Sequence, residues 1–257
     1  MTRFLTLALF FAITTSLGCM AHTPIPVEVR HQISTDHQGR TVELRQSCYF
    51  GDLYDDNSKW LLSALPFENV HHIVDMDGKP IHPGNQRGII PAGTKFIIED
   101  IEFPDQMALA TRMLMSPRYH TWVYLRPAGT LAKAQESSSV REHFIILLPM
   151  DLAGQRDVEN HINQLLAPAG RVSAWLQERR PSVRVAIEHK DILPGMTREE
   201  LIAAMGEPQI WIAEQGQAGL EMVAWYPKGE AWLRRDEVVR VANPRKMTNV
   251  KTEQVTQ

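Results

Sequence analysis

The stretch "LPGMTREELIAAMGEP", Leu193 to Pro208, constrains the chain most, because it marks both ends of a helix too short to stand alone. Thr197 and Glu200 have capping-box spacing: the Thr hydroxyl accepts from the N3 amide and the N3 carboxylate reaches back to the Thr amide. Gly206 stands where a left-handed residue closes a helix, and Pro208 forbids continuation. About two turns fit between them, and a helix of that length is marginal in water. Leu201, Ile202 and Met205 share one face, so tertiary packing must hold the element.

The packing surface follows along the chain. "QIWIAE", "LEMVAWY", "EAWLRR" and "EVVRVA" are short β-prone segments separated by "QGQAG", "PKG" and "RRDE". They predict an antiparallel meander carrying Trp211, Trp225, Tyr226 and Trp232. A sheet this small needs a helix across one apolar face. Residues 182–242 are therefore expected to form a compact α+β unit, of a size that folds alone only marginally.

"LPGMTREELIAAMGEP", "MVAWYPKGEAWL" and "EVVRVA" together resemble the outer-membrane assembly lipoprotein domain of the BamE type (SmpA/OmlA). The matching positions are Gly195, Met196, Thr197, Gly206, Pro208, Trp225 and Tyr226, about a quarter of the chain being covered, and the motif is structural rather than chemical. The pattern departs in two places. That family has a helix before the Gly-Met turn, where "RVAIEHKDI" reads as a strand, and its last hairpin turns on Asp-Gly or similar, where this chain has Arg235-Asp236. The same helix-on-sheet arrangement occurs in β-lactamase inhibitor proteins, so fold analogy limits the functional inference. The resemblance implies a protein partner in the bacterial envelope, with the β-barrel assembly machinery as the candidate.

The N-terminus points to the same compartment. "MTRFLTLALFFAITTSLGCM" has one basic residue, Arg3, an apolar core from Phe4 to Ile13, and small residues before Cys19. That core is too short to span a bilayer and has the layout of a secretory signal. "SLGC" resembles a bacterial lipobox, although Ser16 stands where Leu is usual. The resemblance makes Cys19 the lipidated first residue, carrying palmitate-type acyl chains. With Met20 rather than Asp next, it implies the periplasmic face of the outer membrane. The rival is a plain signal cut before His22, giving a soluble periplasmic protein.

The rest of the chain divides in order. Residues 19–40 read as a tether turning into a first strand, with Val27–Val29 alternating as on an edge. Residues 41–150 are mostly β, with "RGIIPAGTKFIIEDIEF", "HTWVYLRPAG" and the apolar run "HFIILLPM" as strands and "SKWLLSAL" as a helix; "MALATRMLM" is ambiguous. This region is expected to be a small β-barrel or curled sheet, and it resembles SH3-like modules of bacterial envelope lipoproteins. In the connector, 151–181, "RDVENHINQLL" and "RVSAWLQERR" predict two helices broken at "APAG", the second ended by Pro181. The tail, 243–257, has little apolar content and is expected to be disordered.

Chemistry is harder to find. Lys and Arg number 27 against 30 Asp and Glu, without the basic footprint of a nucleic-acid binder. If Cys19 carries lipid, Cys48 is an odd thiol; burial is the plain reading, and a nucleophile with His71, His72 or Asp75 is the alternative. His71, His72, His82, Asp75 and Asp77 match no zinc or calcium template, and Asp77-Gly78 makes a turn more simply. No hydrolase elbow, phosphate loop or dinucleotide fingerprint is present, so no cofactor and no metal are expected. Trp225, Tyr226 and Trp232 are the candidate protein-binding residues, with core packing as the competing reading. The expected function is that of a non-enzymatic, lipid-anchored envelope protein in outer-membrane assembly or maintenance. The alternatives are a peptidoglycan-binding lipoprotein and a hydrolase using Cys48.

Overall fold

The computed structural model describes residues 23–54, 56–112, 117–129, 143–216 and 219–243. Cys19 and the tail from residue 244 lie outside them. Among the described residues the chain is α+β, with six α-helices and two sheets.

The larger sheet has eight strands: β1 (Thr41–Leu44), β2 (Cys48–Leu53), β3 (Asp56–Ser63), β4 (Gln86–Ile90), β5 (Lys95–Glu102), β6 (Thr121–Pro127), β7 (His143–Leu148) and β8 (Leu166–Pro168). Their order is β4-β2-β3-β7-β6-β5-β1-β8. β3 and β7 run parallel, and the other pairs are antiparallel. Alternation explains the apolar run of β7. Phe144, Ile146 and Leu148 pack on one side with Phe96, Val123, Leu125 and Ile33, while Ile145 and Leu147 pack on the other with Tyr49, Trp122, Phe67 and Ile73. A strand covered on both faces loses the polar half of its alternation.

Three expectations are corrected here. Val27–His37 is not an edge strand but helix α1, opening at Pro26. Its buried positions, Arg30, Ile33 and His37, follow helical spacing, but only one is aliphatic, so the period is hidden in the sequence. "SKWLL" is not helical but lies in β3, where Leu61 and Leu62 enter opposite cores. "RVAIEHKDI" is not a strand: its first six residues are the end of helix α5 (Pro181–His189). Pro181 begins that helix rather than only ending the one before, and Val183, Ala186 and Ile187 form its buried face.

Between the lobes, helices α3 (Gln155–Leu165) and α4 (Arg171–Gln177) flank β8, which joins the large sheet beside β1. The connector is thus part of the N-terminal sheet. Helix α2 (Gln106–Thr111) begins at Asp105, whose carboxylate accepts from the Ala108 amide.

The second sheet is the meander β9 (Ile210–Gly216), β10 (Gly219–Tyr226), β11 (Gly229–Arg234) and β12 (Glu237–Ala242). Helix α6 (Arg198–Met205) packs Leu201, Ala204 and Met205 with Ala224, Tyr226, Leu233 and Val238. Both halves of its capping box form: the Glu200 amide donates to Thr197 Oγ1 at 3.2 Å and the Thr197 amide to Glu200 Oε2 at 2.8 Å. The Gly195-Met196 turn is stitched to β12, with the Gly195 amide donating to the Val238 carbonyl at 2.7 Å and the Val238 amide to the Met196 carbonyl at 2.8 Å. Arg235 and Asp236 both have positive φ, 51° and 61°, as a two-residue type I′ hairpin turn requires. Gly206 differs from a left-handed cap: φ is 88° but ψ is −176°, a region open almost only to glycine.

A candidate functional site in the groove between the lobes

The carboxyl ends of β3 and β7, helices α3 and α4, and helix α6 enclose a groove of about 830 Å³. Clefts of about 300–1,000 Å³ are the usual size of small-molecule sites. Leu62, Leu65, Leu148, Val172, Trp175 and Ile202 give it apolar lining. Four amides, Gln46, Asn163, Gln164 and Gln209, line it as well, with Arg45, Arg171, Glu199 and Glu207 supplying both signs of charge and His72 and His161 beside them.

The loop between β1 and β2 is fastened to the C-terminal lobe, which ties the walls of the groove together. The Ser47 amide donates to the Ala203 carbonyl at 2.9 Å, and its hydroxyl donates to the Ile187 carbonyl at 2.6 Å while accepting from the Ala92 amide at 3.0 Å. Lys190 Nζ donates to the Ser47 carbonyl at 2.5 Å and the Ala204 carbonyl at 3.0 Å, and lies 4.9 Å from the centroid of the Tyr49 ring. The last carbonyls of a helix have no partner within it, and Pro208 has no amide to offer. Here the other lobe and a buried cation satisfy them, and a cation suits a helix C-terminus. The Tyr226 hydroxyl donates to the Gly206 carbonyl at 3.0 Å, fastening the same end to the sheet.

A second bolt sits at α4. Glu43 is fully buried, and its carboxylate accepts from the Val172 and Ser173 amides at 2.9 and 3.0 Å and from the Ser173 hydroxyl at 2.8 Å. Burial pushes its pKa up, but the bonds from Ser173, Gly170 and Val172 outweigh that and hold the group below the usual carboxylate range. A carboxylate at a helix N-terminus is also favoured by the dipole.

Burial pulls the Lys190 ammonium down to about 8, a direction Lys228 reinforces and the Cys48 thiol opposes. Cys48 is 2% exposed, and burial pushes its thiol up to about 11 against the pull of Lys190. Its Sγ donates to the Gln46 carbonyl at 3.5 Å, so its polar neighbours are Gln46 and Lys190 rather than His71, His72 or Asp75. Those three lie in the segment closed by the Asp77-Gly78 turn, where Asp75 accepts from the Asp77 and Lys79 amides and His71 stacks edge-on against His82. Among the described residues no group of three or more His, Cys, Asp or Glu side chains is placed to hold a metal ion.

The motif residues surround the groove more than they line it. Gly195, Met196, Thr197 and Glu200 position α6, and Pro208 reaches the groove wall. A Cβ on Gly206 would stand 2.9 Å from Gln46 Oε1, so glycine lets the helix end approach the other lobe. Tyr226 is 1% exposed and Trp232 is buried under the Arg240 guanidinium, 3.8 Å from its ring centroid; Trp225 is half-buried. Sequence reasoning missed Glu43, Ser47 and Lys190. The one local signal was a lysine at the end of a helix, in a position glycine usually fills.

Comparison with protein families, with curated proteins and with solved structures gives no match.

Proposed function

We propose that the protein is a non-enzymatic, lipid-anchored envelope protein that holds an extended segment of a partner polypeptide in the inter-lobe groove. The observation that carries this reading is the groove's composition. Leucine and isoleucine in the lining suit apolar side chains, and the four amides among them suit the alternating donors and acceptors of a peptide backbone. A bare acyl chain would leave those amides without partners. The buried thiol of Cys48, held protonated, gives no support to cysteine-dependent hydrolysis.

The envelope assignment rests on the signal and Cys19. The BamE-type reading of the C-terminal lobe gains support from α5, the helix that family carries before its Gly-Met turn. The β-rich N-terminal lobe stands as SH3-like by resemblance alone.

The test is site-specific photo-crosslinking in intact cells from Ile202 and Trp175, with Val185 on α5 as the exposed control. Discrete polypeptide adducts from the two groove positions, absent at Val185, are expected. Adducts only to glycan or lipid, or equal adducts at all three positions, overturn the reading. Membrane fractionation of Cys19→Ser tests the anchor separately, and retention in the membrane fraction removes it.

A further inference from the structure

A strand at the end of a sheet exposes a row of backbone amides and carbonyls, and folded proteins blunt such edges by short length, charge, proline or a bulge. Among the described residues, two sheets give four edges, and three of them are blunted. β8 has only three residues and ends in Pro168. β4 carries Arg87, and its register slips where it meets Gly51. β12 carries Arg240 and a register shift at Trp232 and Leu233, and its Val238 amide and carbonyl are both taken by the Gly195-Met196 turn.

β9 is the exception. It pairs with β10 in unbroken register from Ile210 to Gly216, seven residues without lysine, arginine or proline, and Glu214 is its one charge. Among the described residues no other strand or turn pairs its backbone with the second edge of β9. The side chains are bare to match: Ile210 is 40% exposed, Ala213 and Gln215 are exposed, and Trp211 and Ile212 are half-buried. A strand laid along this edge would complete the backbone pairing and cover those side chains.

What lies at the start of β9 points to the occupant. Glu207, Pro208 and Gln209 line the inter-lobe groove and run directly into Ile210. The helix that lines the groove with Glu199 and Ile202 also sets the Arg198 guanidinium over the Trp211 ring, 4.3 Å from its centroid. Groove and open edge are thus neighbours along both the chain and α6, and one extended segment can serve both. A second copy of this chain, pairing β9 with β9, would leave the groove unfilled. Backbone pairing is indifferent to sequence, so it would supply affinity while side chains seated in the groove supply selection.

We infer that the partner polypeptide leaves the groove at Gln209 and continues along β9 as a fifth strand of the four-stranded C-terminal sheet. The inference rests on the groove reading above and deepens it: the partner is recognised as an extended stretch of main chain, not as a folded surface.

The test places a photo-crosslinking residue in the full-length protein in intact cells, at Ile202 in the groove or at Gln215 near the far end of β9, and maps each adduct by mass spectrometry. Gln215 follows Ile202 by thirteen positions. Thirteen residues span at most about 45 Å, so a single extended segment must be joined at sites no more than about thirteen residues apart. Adducts from both positions to one polypeptide, within that spacing, are expected. Ala213→Pro denies the edge a backbone donor. Ala213→Lys adds the charge that natural edges use while keeping the whole backbone, so a folding defect from proline cannot decide the result. Each is expected to weaken the Ile202 adduct about fivefold, the effect of losing one or two peptide hydrogen bonds. Leu220→Lys on β10, where the leucine is 68% exposed, is expected to leave it unchanged. Ile202 adducts that survive both Ala213 variants, or that form without any at Gln215, overturn the inference and leave the groove reading standing. Gln215 adducts to a second copy of this chain also overturn it. Adducts at neither position overturn both readings.

Discussion

Lys190 offers the sharpest test of how the lobes are joined. Its ammonium is buried against two carbonyls and an aromatic ring, with no carboxylate paired to it among the described residues, and its pKa falls from 10.5 to about 8. The unfolded chain keeps the proton to higher pH than the folded one. Stability must therefore rise with pH between the two values, because the unfolded state binds more protons there. At about 1.4 kcal/mol per unit, moving from about pH 7 to about pH 9.5 recovers about 2 kcal/mol of stability through this one group. Cys48 acts in the opposite sense, since burial raises its thiol from 9.0 to about 11 and the unfolded chain loses that proton first. Its contribution is lost as pH rises through that window, and would mask the lysine.

The clean comparison is Cys48→Ala against Cys48→Ala with Lys190→Met, by urea denaturation at both pH values. Tyr54, Tyr124 and Tyr226, all pushed up by burial, titrate in both proteins and cancel in the difference. The stability gap between the two proteins should shift by about 2 kcal/mol between about pH 7 and about pH 9.5, in favour of the chain that keeps the lysine. A gap that does not change with pH would mean Lys190 is not a buried cation, and the account of the lobe junction would fall with it.

Thr197→Ala removes one half of the capping box and should cost about 1 kcal/mol, read from the shift in urea midpoint; no shift would mean that packing alone holds α6. Gly206→Ala meets both a φ of 88° and the Gln46 carboxamide, and should cost about 1–3 kcal/mol. Adding Gln46→Ala relieves only the clash, so full rescue in thermal unfolding would contradict the backbone argument. Burial holds His120 below its usual pKa, even though its ring nitrogens contact the Leu148 and Val74 carbonyls at 2.8 and 3.1 Å. The unfolded chain then takes the proton first, so stability should fall as pH drops below about 6.5. Desolvation lowers His37 as well and adds to the slope, and a flat midpoint from about pH 7 to about pH 5 would refute the assignment.

Legibility in the sequence followed the range of the forces involved. Helix α6 was readable because Thr197, Glu200 and Pro208 act within a few residues of one another, and the meander was readable because its turns are local. The errors came where distant partners decide. β3 looks helical until β2 and β7 claim its two edges, and α1 hides its period because two of its three buried positions are Arg30 and His37. Helix α5 was the avoidable error: β-branched residues suggested a strand, while Pro181 at its first position and the 183–186–187 spacing already specified a helix.

The groove could not have been read from any window, since its lining draws on β3, β7, α4 and α6, segments more than a hundred residues apart at the extremes. The motif nevertheless bears on it indirectly. Gly206 and Pro208 end α6 abruptly, which leaves the carbonyls of Ala203 and Ala204 without helical partners. Ser47 and Lys190 take those carbonyls, and that exchange fixes the distance between the lobes and hence the width of the groove. A residue pattern that reads as mere helix punctuation therefore also sets the geometry of the site. Two substitutions at residues outside the lining should loosen the groove: Gly206→Ala, whose new methyl meets the lining residue Gln46, and Lys190→Met.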